Sequence, residues 1–193
     1  MHYYTNHVWE QGRRAVNEDS IAIMNLRIAG KPVLFAAVCD GIGGLSEGET
    51  ASSYTTYQLK LAFESCILSG VRRLSVIRNH ILRSIYSTHH NLISYGKSKN
   101  IELGTTLSAV VLIGHLGMII HMGDSRVYKG SRLMTKDHTD SYGRVVRAVG
   151  CGRYRRPSLK RIYVRTGDVL TLCTDGCYKK NGDNISAITI KIM

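Results

Sequence analysis

Helical periodicity is confined to one stretch of this chain, and that segregation limits the folds open to it more than any other feature. Between residues 46 and about 97 one face recurs at helical spacing. It runs through Ala51, Tyr54, Thr55, Gln58, Leu59, Ala62, Phe63 and Cys66 until Gly70, then through Leu74, Ile77, Ile81, Ile85 and Leu92. Ser46-Glu47-Gly48-Glu49 predicts a capping box at the first helix, with the serine hydroxyl and the glutamate satisfying helix-end amides. Before this stretch, residues 20–28 and 33–39 predict a β-hairpin across Ala29-Gly30-Lys31-Pro32. From Gly104 onward almost everything is strand. Residues 105–113 and 116–122 form one expected hairpin, and Arg126-Val127-Tyr128 with Arg132-Leu133-Met134 a second. Residues 160–165, 168–174 and 184–192 complete the set. Strands in runs with the helices set apart predict an α+β layered architecture.

Side-chain parity orders the layers. Residues 33–39 and 105–113 are largely apolar on both parities and are expected to be covered on both faces. The C-terminal strands alternate: Ile162 and Val164 against Arg161, Tyr163 and Arg165; Leu170 and Leu172 against Val169, Thr171 and Cys173; Ile188, Ile190 and Ile192 against Ala187, Thr189 and Lys191. The αα-hairpin can cover one sheet, and no comparable segment remains for the other. The expectation is therefore a sandwich of two antiparallel β-sheets, helix–sheet–sheet, with a second helical layer reduced or absent. The outer face of the C-terminal sheet would be open to solvent or used for self-association.

At 193 residues the chain suits a single domain spanning 1–193, and 44% hydrophobic with 21% charged residues is globular composition. The start, Met1-His2-Tyr3-Tyr4, has neither a basic segment nor an apolar core, so no signal peptide is expected. Apolar runs stop at about seven residues, far short of the ~20 needed to span a bilayer. Five cysteines, with no CxxC pair, fit reduced thiols and a cytoplasmic setting. The net charge of +12 is uneven: residues 126–165 hold twelve Lys or Arg against Asp137 and Asp140, a net +10. Such a tract is either a solvated basic face or an attractor for an anionic partner.

Four aspartates stand at turns beside candidate strands: Asp40, Asp124, Asp175 and Asp183. Singly, each reads as a turn residue, since aspartate bonds nearby backbone and the glycine beside each of them tolerates positive φ. Together, paired strands can bring them to one sheet edge as a cluster of hard oxygen donors, which suits Mg²⁺ or Mn²⁺ better than zinc.

The order of the motifs is more specific. Arg14-Ala15-Val16-Asn17-Glu18-Asp19, Asp40-Gly41-Ile42-Gly43-Gly44, Gly104-Thr105-Thr106, Gly123-Asp124-Ser125-Arg126, Thr174-Asp175-Gly176 and Asp183-Asn184 follow one another as in the metal-dependent Ser/Thr protein phosphatases of the 2C type. Thr135-Lys136-Asp137-His138 and Arg147-Ala148-Val149-Gly150 also resemble shorter signatures of that family. The resemblance runs from about residue 5 to the C-terminus. It implies two face-to-face antiparallel sheets and a binuclear Mn²⁺ or Mg²⁺ centre. Asp40 would bridge the ions, the Gly41 carbonyl would bind one, and Asp175 and Asp183 would hold the first. Glu18 would reach the second through water, Asp19 would orient waters, and Asp124 with Asp175 would offer a weaker third site. Arg14 would clamp the substrate phosphate, its fork matching two phosphate oxygens.

Departures from the family pattern cluster beside that centre. Ile42 stands where many relatives carry a histidine proposed as general acid. The flap region, residues 139–146, is only eight residues long, and the stretch 176–182 only seven. His138 reads as structural, Cys173 and Cys177 as packing residues, and the adjacent His89 and His90 diverge on a helix too far to share a metal. The implied activity is hydrolysis of phosphoserine or phosphothreonine in proteins, in a bacterial cytoplasmic enzyme opposing a Ser/Thr kinase. A catalytically weak phosphoprotein-binding regulator is the first alternative. A polyanion-binding module ranks last, because no RNA-binding aromatic signature or helix-turn-helix accompanies the charge.

Overall fold

In the computed structural model, which describes residues 1–42, 45–179 and 182–193, the strands form two antiparallel five-stranded sheets. In chain order the elements are β1 (Tyr3–Glu10), β2 (Asp19–Ile28), β3 (Lys31–Asp40), α1 (Gly48–Leu68), α2 (Leu74–Lys99), β4 (Leu107–Ile113) and β5 (Leu116–Met122). There follow β6 (Arg126–Lys129), β7 (Arg132–Leu133), β8 (Ser158–Tyr163), β9 (Val169–Cys173), a 3₁₀ turn at Asp175–Cys177, and β10 (Ile185–Ile192). One sheet runs β2-β3-β4-β5-β8 and the other β1-β10-β9-β6-β7.

The doubly apolar strands are the middle layer, as their composition requires. From β3, Val33, Phe35, Ala37 and Cys39 join Ala51, Leu59 and Phe63 of α1 and Ile77, Ile81 and Ile85 of α2 in one core; Phe35 stacks on Phe63 at 5.5 Å. The alternate residues Leu34, Ala36 and Val38 face Leu170, Leu172, Ile188 and Ile190 in a second core between the sheets. Helix α1 stops in a Schellman turn: Gly70 adopts φ +72°, and the Gly70 and Val71 amides donate to the Ile67 and Cys66 carbonyls. No helix among the described residues is long and apolar enough to cross a membrane.

Two local expectations need correction, and one strand, β1, is not among those expected. The capping box at residues 46–49 does not form. Glu47 occupies the N-cap in a left-handed conformation without a side-chain cap bond. Its carboxylate instead accepts hydrogen bonds from the Tyr95 hydroxyl (2.8 Å) and Lys99 Nζ (3.0 Å), tying the start of α1 to the end of α2. Residues 160–165 do not belong with the C-terminal strands; β8 pairs with β5, Met118 opposite Arg161, at the edge of the helix-covered sheet. Parity alone could not assign it, because an edge strand with one apolar row fits either sheet. Finally, β1 carries no strong alternation: it is mostly exposed, and backbone pairing with β10 from Tyr3–Ile192 to Glu10–Ile185 holds it. The layer order stands. Both helices pack on the β2-β3-β4-β5-β8 sheet, and no described helix covers the outer face of the other. Arg161, Arg165 and Lys191 are exposed and Thr189 partly so.

Candidate metal centre and active site

The two sheets deliver the acidic residues to one end of the sandwich. Asp19 opens β2 and lies directly opposite Asp40, which closes β3. Asp124 follows β5, Asp175 follows β9, and Asp183 precedes β10. Thr106 fixes Asp40: the Asp40 amide donates to the Thr106 hydroxyl (3.1 Å), while the Thr105 hydroxyl and Thr106 amide donate to the Asp40 carbonyl. Gly41 must be glycine, since a Cβ there would lie 2.6 Å from the Gly48 backbone at the start of α1. Gly43 and Gly44 of the same motif lie outside the described residues, as do Lys180 and Asn181 in the shortened 176–182 stretch.

Asn184 holds the N-terminal acidic segment in place. Its Oδ1 accepts from the Glu18 amide (2.9 Å), and its Nδ2 donates to the Gln11 and Val16 carbonyls (2.7 and 3.1 Å). Asn17 Oδ1 accepts from the Asp19 amide, which turns the chain into β2.

Electrostatics show that these carboxylates share one site. Burial first, and then the charges of Asp19, Asp175, Asp124 and Asp183, push the Asp40 carboxyl well above the usual range. Asp19, only 3% exposed, is pushed up to about 6, chiefly by burial. Thr174 donates to Asp19 Oδ2 at 2.8 Å, but Asp19 Oδ1 and the neighbouring Ser186 Oγ are buried without a hydrogen-bond partner. Glu18 is also raised, by burial and then by Glu49. Desolvated, mutually repelling carboxylates with an orphaned buried oxygen fit bound cations, and the all-oxygen donor set fits Mg²⁺ or Mn²⁺. Among the described residues, no three acidic, histidine or cysteine side chains stand in closed ligand geometry.

Two basic side chains supply the counter-charge. Arg14, half-exposed, pairs with Asp183 at 2.8 Å. Lys179, which sequence reading missed, donates to Asp124 Oδ2 at 2.9 Å and to Asp175 Oδ2 at 2.8 Å. Its position four residues after Asp175 was a legible signal. His138 is structural: its Nδ1 accepts from the Gly123 amide (3.2 Å) and its own amide donates to the Gly123 carbonyl (2.8 Å), fixing the residue before Asp124. The short 139–146 segment is a tied loop in which Asp140 Oδ1 accepts from the Tyr142 and Arg144 amides. His89 donates no metal-like geometry; its Nδ1 accepts from the Gly150 amide.

The architecture is a helix-covered sandwich of two antiparallel sheets with a carboxylate cluster at one end. The family described as Protein phosphatase 2C matches residues 10–187, and the chain belongs to that family. A phosphatase-2C-type protein of Streptococcus pyogenes is 30% identical over 132 residues, covering 66% of this chain and 51% of the relative, so the chain matches about half the length of that curated relative. Among solved structures, a serine/threonine phosphatase of Staphylococcus aureus superposes with TM-score 0.85 at 20% identity, covering 100% of this chain and 96% of the other. PppA of Pseudomonas aeruginosa, described as a key regulatory component of T6SS, gives 0.82 at 20% identity with 100% and 99% coverage. The serine/threonine phosphatase of S. agalactiae gives 0.81 at 22% identity with full coverage of both chains.

Proposed function

We propose that residues 1–193 act as one unit that hydrolyses phosphoserine or phosphothreonine in proteins, dependent on Mn²⁺ or Mg²⁺. The observation that carries this reading is the facing pair Asp19–Asp40, Asp19 buried with an unpartnered oxygen and Asp40 half-buried, with the charges of three further aspartates acting on it. Asp40, Asp175, Asp183 and the Gly41 carbonyl would hold two ions, with Glu18 and Asp19 orienting their waters. Ions bound there would supply positive charge to the phosphoryl oxygens and greater acidity to a water. Arg14 stands at the rim, half in solvent, where its fork can leave Asp183 for a substrate phosphate. With Ile42 after the Asp-Gly pair, the leaving group would take its proton from water or from a group other than the residue at that position. The basic 126–165 tract, with Arg153, Arg155, Arg156, Lys160 and Arg161 exposed, would draw in anionic phosphoproteins. All five cysteines are free, which fits a bacterial cytoplasmic setting opposite a Ser/Thr kinase.

The test is phosphate release from a phosphothreonine peptide with Mn²⁺. Asp40→Asn and Asp175→Asn should each lower kcat by about 10²-fold or more while the circular dichroism spectrum stays native. A mutant that keeps more than about a tenth of wild-type kcat, set against that loss, contradicts the assignment. Wild type that binds the peptide but does not turn it over supports the regulator reading instead.

A further inference from the structure

The Lys179 ammonium reaches two carboxylates that approach from different elements. It donates to Asp124 Oδ2 at 2.9 Å, beyond β5, and to Asp175 Oδ2 at 2.8 Å, at the head of the 3₁₀ turn. The three exposures are unequal: the Lys179 side chain is 43% exposed, but those of Asp124 and Asp175 only 6% and 15%. The cation therefore enters from solvent to neutralise two carboxylates that the fold has already desolvated.

Its placement is built, since the segment carrying it is pinned at several points. The Lys179 amide donates to the Asp175 carbonyl at 2.7 Å, and the Tyr178 amide to the same oxygen at 3.0 Å. The Tyr178 hydroxyl donates to the Asp124 carbonyl at 2.7 Å. The Tyr178 ring lies under the Arg126 guanidinium, 3.8 Å from its centroid, and Arg126 is in turn held by Asp137. Tyr178 thus fixes the turn to the very residue whose carboxylate Lys179 neutralises.

We propose that Lys179 is a tethered cation that fills the space between Asp124 and Asp175 and closes that pair to a divalent ion. Asp124 then serves as the lysine's counter-ion rather than as a metal ligand, and Asp175 keeps Oδ1 for the principal centre. The inference rests on the binuclear reading above and narrows it to two ions, with no third. The energetics run the same way. Removing the ammonium leaves Asp124 charged, buried and beside another carboxylate, a state so unfavourable that it favours capture of another cation. A lysine is also always present at effective concentrations that a weakly bound ion cannot match.

Counting bound Mn²⁺ through the loss of its free-ion electron paramagnetic resonance signal tests this. Wild type, Asp124→Asn and Lys179→Arg should each bind two ions. Lys179→Met should bind three, and adding Asp124→Asn to Lys179→Met should return the count to two. Lys179→Gln serves as a second charge-free variant should the methionine variant fail to fold. A third ion in wild type that Asp124→Asn removes overturns the proposal, as does a count of two in both folded charge-free variants. Fewer than two ions in wild type overturns the binuclear reading and this proposal with it.

Discussion

Arg14 shows how one residue can be assigned from its neighbours and still require measurement. The family resemblance implies a phosphate clamp at Arg14, and in the structure its guanidinium rests on Asp183. The two states are compatible because the pair is half-exposed on the arginine side, and such an ion pair is worth about 0–1 kcal/mol. Arg14→Ala should therefore lower kcat/KM for a phosphopeptide by about 10–100-fold, the range for a charged hydrogen bond. Mn²⁺ affinity should shift by no more than about fivefold, the equivalent of that ion pair. Arg14→Lys should recover only part of the loss, because a point charge lacks the two-pronged fork. Steady-state kinetics alongside a Mn²⁺ titration decide the matter; a large loss of metal binding would place Arg14 in the metal site instead. Lys179 was the residue that motif order left unseen. A motif carries what relatives share; the four-residue spacing from Asp175 could have flagged one partner of this lysine, and only the fold adds Asp124 as the second.

Elements differed in how plainly they could be read. The β2–β3 and β4–β5 hairpins and the helical pair follow from apolar periodicity, because burying those rows is what forms them. Strand β1 buries only Tyr3 fully, so its pairing with β10 has no side-chain signature. The link from β5 to the site depends on two stacked histidines, 4.7 Å apart, of which sequence marked only His138, as structural. His121 donates from Nε2 to the Lys136 carbonyl and accepts at Nδ1 from Ser108; burial pulls it down to about 4. Burial, then His121 and Arg147, lower His138 to about 4 as well. A histidine whose folded pKa lies below its unfolded value leaves the unfolded chain binding more protons. Stability is then full above about pH 6.5 and is lost as pH falls towards 4. His121 alone sets a ceiling of roughly 3 kcal/mol on that loss. Denaturant unfolding between those limits should show the slope, and His121→Gln should flatten it. An equal slope in the variant would mean that other groups carry the acid sensitivity.

For the whole molecule, the segregated helical stretch was enough to predict helix–sheet–sheet layering, and the uncovered outer sheet face followed from having no second helical segment to place there. The assignment of β8 did not follow, since the choice of sheet is made by a long crossing segment with little regular structure. The central claim is that two sheets converge their termini to make a cation site that the bare fold cannot satisfy by itself. Thermal unfolding at pH 7 with and without Mn²⁺ tests it most directly. An ion that binds only the folded chain adds about 2.7 kcal/mol at a hundred times its Kd, which for a chain of this size raises Tm by about 5–10 °C. The account predicts that rise for wild type and its near-complete loss in Asp40→Asn. A Tm indifferent to Mn²⁺, or an equal rise in Asp40→Asn, would contradict it.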